Sequence, residues 1–213
     1  MAEYSIDKLE AARRQLDMAI KLFFDNEDGF AVYTLAYAAF KILFDIYPVH
    51  KNDDFAKRID DVITQIGWKR FNNTANFLKH GDRDPHDLLP DQDAESAQGL
   101  IGLAAVMYRR LAGDFTPLMR GFDLWTEALN PEAFRIPPDE NPDREAIDKR
   151  AREFIKSSPA ADRLIMGKLM VEALTKVWED RDSPDLVVKV RAAFESVENM
   201  PKSPATLSEA ADD

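Results

Sequence analysis

Residues 75–87, ANFLKHGDRDPHD, concentrate the groups of this chain that are able to do chemistry. The run holds two of the chain's three histidines, three aspartates, Lys79, Arg83 and the amide of Asn76. An imidazole titrates near neutrality and moves protons. Histidine grouped with carboxylates binds zinc, iron or manganese. Exposed amides and cations recognise polar or anionic ligands. The stretch therefore offers acid–base work by His80, metal binding by His80, Asp82, Asp84, His86 and Asp87, or ligand recognition by the helix leading into it.

The metal option lacks the usual spacings. No His-Glu-x-x-His helix and no Glu-x-x-His pair occurs in the chain. The His86-Asp87 doublet, with His50 upstream, is similar to the His…His-Asp…Asp pattern of HD-type phosphohydrolases, but it follows Asp84-Pro85 in an expected loop. This set stays an alternative, and neither a metal nor any other cofactor is expected. Nucleophilic hydrolysis has less support, because there is no Gly-x-Ser-x-Gly elbow and no cysteine. Eight dispersed glycines exclude a Rossmann or P-loop phosphate cradle.

The recognition option rests on residues 68–80. On a helical wheel Trp68, Phe71, Ala75 and Leu78 gather on one side. Lys69, Asn72, Asn73, Asn76 and His80 gather opposite, within roughly 100°. Asparagine costs several tenths of a kcal/mol in a helix relative to alanine. A stripe of amides therefore implies a compensating role, either a hydrogen-bonded interface or a polar ligand. From Lys69 to Arg83 four cations face one aspartate, although the whole chain carries a net charge of −11. The molecule as a whole should repel nucleic acid and anionic membrane, and this face is the local exception.

The elements that must position these residues are helical throughout. Apolar residues recur three and four apart at Ile6, Leu9, Ala12, Leu16, Ile20 and Phe23, with Ser5 as a fitting N-cap. A turn over residues 25–29 leads to a second helix with an aromatic stripe: Phe30, Tyr33, Tyr37, Phe40, Phe44 and Tyr47. Residues 30–47 reach membrane-spanning length, yet Lys41 and Asp45 would each cost about 2.5–3.5 kcal/mol at a bilayer centre. The run predicts a core helix, apolar nearly all round, ended by Pro48. A third helix over 53–66, a break at Gly67, a helix over 68–80 stopped by Gly81, and a helix over 93–112 closed by Gly113 follow.

Five pairs, Thr116-Pro117, Asn130-Pro131, Asn141-Pro142, Ser158-Pro159 and Ser183-Pro184, each place a capping side chain before a proline and predict helix starts. The fold class is all-α: a multi-helix bundle over 1–115, a helical extension over 116–199 packed on it, and a disordered tail over 200–213. The N-terminus lacks the regions of a signal peptide, so a cytoplasmic location with no membrane partner is the expectation.

An all-α chain in which Asn76-Phe77-Leu78-Lys79-His80 closes a helix, followed by Gly81, resembles the HEPN superfamily over roughly residues 5–115. The resemblance implies two Arg-polar-(x)-His motifs meeting across a homodimer to make a metal-independent RNase site. His80 would then be the base, Lys79 or Arg83 the cation, and Lys69, Asn72, Asn73 and Asn76 the binding residues. The position before Asn76, where that family places arginine, is Ala75. The expectation is thus a homodimer binding RNA, a nucleotide or a protein partner, with at most weak cleavage. A helical interaction protein without a small-molecule site is the other reading.

Overall fold

Asp7, and not Ser5, starts the first helix. Its backbone is extended (φ −81°, ψ 175°), and its Oδ1 accepts the amide of Glu10 at 2.7 Å. A carboxylate satisfies an orphan N–H as a hydroxyl would, and its charge also suits the positive end of the helix dipole. In this computed structural model residues 5–82, 85–89, 97–130 and 142–179 are described, with nine helices and no strand among them. The fold is all-α. The helix starts expected at Pro131 and Pro184, and the 200–213 tail, lie outside the described residues.

The chain divides into two units, Met1–Thr116 and Pro117–Asp213. In the first, α1 (Lys8–Phe24), α2 (Gly29–His50) and α6 (Gln98–Ala112) pack on one another. Their shared core includes Leu16, Ile20 and Phe23, then Val32, Phe40 and Leu43, then Ile101 and Met107, all with no exposure. Alanines 12, 19, 36, 39 and 104 are equally buried and keep side chains short where the helices meet. Asn26, in the left-handed region at φ 51°, turns the chain between α1 and α2, and the Asp28 carboxylate caps α2 by accepting the Ala31 amide at 2.8 Å.

Two expectations for α2 are corrected. Pro48 lies inside the helix, which continues to His50, and the Lys51 amide still closes on the Tyr47 carbonyl at 2.9 Å. Proline removes only one bond here, and with a single turn remaining the disruption is small. Nor is α2 buried all round. Leu35, Ala38, Ile42 and Ile46 are only half-buried, and Val49 is 80% exposed. Lys41 and Asp45 pair with each other on that open flank. By length and composition α2 is apolar enough to cross a membrane.

The connection from α2 to α6 carries three short helices: α3 (Phe55–Ile66), α4 (Trp68–Phe71) and α5 (Asn73–Lys79). Gly67, at φ 94°, makes the break expected there, and Gly113, at φ 95°, closes α6 in the left-handed conformation that glycine adopts without a Cβ penalty. Helix α5 also stops where expected, but the following Gly81 does not take a positive φ.

The second unit holds α7 (Pro117–Leu129), α8 (Pro142–Ser157) and α9 (Ala160–Glu179). Two of these begin on the predicted prolines, and α9 begins one residue after Pro159. Trp125 of α7 is buried and donates its indole N–H to the Arg163 carbonyl at 3.0 Å. Gly121 lets α7 approach α9 closely. A Cβ at that position would lie 2.6 Å from Val171 Cγ2 and 2.9 Å from Val171 Cα.

Because a backbone atom is among those contacts, Gly121→Ala forces the helices apart and should cost about 1–3 kcal/mol. Gly99→Ala, where a Cβ meets nothing within 4 Å, should instead be neutral or stabilising, by up to about 1 kcal/mol from helix propensity. Chemical denaturation of the two variants beside wild type checks the contrast, and equal effects would refute it.

Candidate functional site

The α4–α5 arm is held by rings. Trp68 meets Phe44 edge-on with centroids 5.7 Å apart, and Phe71 meets Phe40 at 5.5 Å and Tyr37 at 6.3 Å. These partners lie on the aromatic side of α2, so the stripe read from the sequence is the seat of the arm. Polar bonds fix its register. The Trp68 indole N–H donates to Asp60 Oδ1 at 3.0 Å, the Tyr33 hydroxyl donates to the Phe71 carbonyl at 3.3 Å, and the Tyr37 hydroxyl donates to Asn72 Oδ1 at 2.7 Å. Burial raises both phenols, with Tyr33 pushed up to about 12, so they remain donors at neutral pH.

The single helix expected over 68–80 is broken at Asn72, and this redistributes the amide stripe. Asn72 is half-buried, with its side-chain oxygen occupied by Tyr37. Asn73 and Asn76 remain exposed on α5, as does Lys69 on α4. Ala75 is 2% exposed and forms the inner side of α5, whereas Leu78, expected beside it, is 40% exposed. His80 is the C-cap residue. Its backbone N–H closes on the Asn76 carbonyl at 3.0 Å, and the residue is half-buried. Lys79 is exposed but lays its ammonium over the Tyr37 ring, 4.9 Å from the centroid. Arg83 lies outside the described residues.

Phe77 belongs to this surface and was missed by the wheel. It is 36% exposed, one helical turn from Asn73 and adjacent to Asn76. Its spacing of four from Asn73 was the available signal. An apolar residue inside a polar stripe ordinarily reads as core, although 100° per residue already sets Phe77 nearly opposite Ala75.

The charge of the surface is set by its surroundings. On α3, Lys57 is paired with Asp61 and Arg58 with Asp54, each at 2.8 Å. Lys69 and Arg70, both exposed, have no carboxylate partner among the described residues. No group of three or more His, Asp or Glu among the described residues comes together as a metal-ligand set. His50, His86 and Asp87 are exposed, and Asp84 lies outside the described residues.

Two other polar clusters are closed on themselves. Arg110 donates to the Tyr47 hydroxyl at 2.6 Å and to Asp53 at 3.0 Å, while its guanidinium covers the Phe55 ring at 4.4 Å. This ties the ends of α2 and α6 to the start of α3. On α1, Arg13 bridges Glu10 and Asp17, and Asp17 also accepts the Thr116 hydroxyl at 2.6 Å. Burial raises the Asp17 carboxyl, whereas hydrogen bonds from Arg13 and Arg14 hold Glu10 down at about 2. The Phe55 amide, then Arg110, lowers Asp53. Compared with family models, curated proteins and solved structures, the chain matches none.

Removing the phenol of Tyr37 tests the seat of the arm. Tyr37→Phe keeps the ring contacts and leaves Asn72 Oδ1 without its donor. It should cost about 1 kcal/mol and speed amide hydrogen exchange in α4–α5 before it does so in α1 or α6. Unchanged exchange in the arm would refute the assignment. The pH dependence follows from Glu10. Its folded pKa lies below its unfolded value of 4.5, so its contribution is complete above that pH and is lost as pH falls toward about 2. The melting temperature of Glu10→Gln should accordingly fall less steeply than that of wild type over this window, and parallel curves would contradict it.

Proposed function

We propose that the α4–α5 surface binds RNA or a nucleotide, with Lys69 and Arg70 on phosphate and Asn73 and Asn76 hydrogen-bonding to bases or sugar. One observation carries the reading. In a chain of net charge −11, these two cations stand exposed without a carboxylate partner among the described residues, next to two exposed amides. A paired cation must give up its carboxylate before it neutralises a phosphate and displaces the counterions there, whereas an unpaired one need not. The resemblance of residues 76–80 to the HEPN motif points to the same ligand class.

The role supported is recognition and not strand scission. Cleaving RNA needs a base for the 2′-hydroxyl and a cation aimed at the developing charge on phosphate. His80 is suited to the first task. For the second, Lys79 is drawn onto the Tyr37 ring, and the position before Asn76 is the inward-facing Ala75. An arginine at 75 would have to enter the packed seat of the arm. His80 therefore contributes a hydrogen bond at the end of the surface.

Fluorescence anisotropy with a labelled single-stranded RNA, across a range of salt, checks this reading. Wild type should bind with salt-dependent affinity. The double variant Lys69→Ala, Arg70→Ala should bind more weakly, and its slope of log affinity against log salt should be shallower by about 1.4, or about 0.7 for each phosphate contact. An unchanged slope removes the two cations from the site. Absence of binding by wild type to both RNA and free nucleotides would leave the arm as a surface for protein partners.

A further inference from the structure

We infer that Phe77 is a stacking platform for one unpaired nucleobase, flanked by Asn73 and Asn76, which bond the base edge. This rests on the nucleic-acid reading above and names the part of the ligand that the cations do not see. The geometry begins with Ala75, which is 2% exposed and marks the side of α5 that faces the fold. At about 100° per residue, Asn73 and Phe77 lie nearly opposite Ala75, with Asn76 beside them. All three are exposed.

A single exposed phenylalanine is ordinary on a protein surface. What distinguishes this one is its company. The other two aromatic rings of the arm, Trp68 and Phe71, are committed to α2, while Phe77 makes no ring contact among the described residues. Each flanking amide offers both a donor pair and an acceptor, which is the complement required by a base edge. The unpaired cations are exposed on α4, the short helix that leads into α5. An aromatic face with amides beside it and cations at one end is how proteins hold single-stranded nucleic acid. A base already stacked and paired in a duplex cannot present its face to the ring. The site therefore selects unpaired bases, supplied either by a strand or by a free nucleotide.

The experiment compares wild type, Phe77→Ala and Phe77→Trp as full chains. Anisotropy is measured with a labelled single-stranded octanucleotide RNA and with a blunt duplex of the same length. Phe77→Trp should melt as wild type does, and Phe77→Ala, which gives up the covered part of a ring 36% exposed, should keep the helical spectrum by circular dichroism. Wild type should prefer the single strand. Phe77→Ala should lose about tenfold in single-strand affinity with duplex affinity unchanged, and Phe77→Trp should retain the preference. Adenosine monophosphate as competitor separates the two sources of the base. Displacement that depends on Phe77 assigns the ring to a free nucleotide, and Phe77-dependent strand binding without displacement assigns it to a strand. The inference is overturned if Phe77→Ala binds the single strand as wild type does, or if it weakens single strand and duplex equally. Either result, with the salt-slope change of the Lys69 and Arg70 variant intact, removes the stacking site and leaves the phosphate surface standing. No RNA or nucleotide binding by wild type removes both.

Discussion

The packing of Trp68 and Phe71 against the aromatic side of α2 is the contact on which the candidate site depends. Helix α4 has four residues and α5 seven. Helices of that length do not hold in water by hydrogen bonding alone, because nucleation is too costly. Rings from Tyr37, Phe40 and Phe44 supply what is missing, and aromatic pairs of this kind contribute about 0.5–1.5 kcal/mol each beyond the area they bury. The phenols of Tyr33 and Tyr37 then set register, since a hydroxyl that must find an acceptor allows fewer arrangements than a ring alone. Asn72 at the break supplies one of those acceptors. An amide that looked like part of a ligand stripe is thus part of the hinge that presents the stripe.

The electrostatics of the first unit follow the same division. Six of its described cations are ion-paired locally: Arg13 and Arg14 to Glu10, Lys41 to Asp45, Lys57 to Asp61, Arg58 to Asp54, and Arg110 to Asp53. Exposed pairs of this sort contribute at most about 1 kcal/mol each to stability. Their larger consequence is to neutralise the surface where they occur. Lys69 and Arg70 stand outside that pattern and place two exposed, unpaired cations side by side on the arm of an acidic protein.

Much of the fold was legible because its signals are local. Spacings of three and four marked α1, α2 and α6, and Gly67 and Gly113 broke or closed helices where they stand in the sequence. Pro117 and Pro142 opened helices for the reason proline suits a first turn. Boundaries were less secure. Asp7 and Ser5 are both good caps by residue type, and it is Asp7 that is extended and accepts the Glu10 amide. Pro48 was read as a stop because the energy of one lost bond was weighed without the helix already built before it.

The sequence by itself determined that the protein is helical, that α2 carries a continuous aromatic stripe, and that residues 69–80 combine cations, amides and a histidine. Each of these is a property of residue type and spacing within a turn or two. Only the tertiary structure decided which of those groups face outward. A wheel drawn through residues 68–80 assumes one unbroken axis, whereas the pull of α2 on Trp68 and Phe71 and the bond from Tyr37 to Asn72 go with a break at that residue. Asn72 turns in to the Tyr37 hydroxyl and Lys79 folds back over the Tyr37 ring, each with a partner thirty-five positions or more away in the chain. Those are long-range contacts, and no periodicity within the arm encodes them.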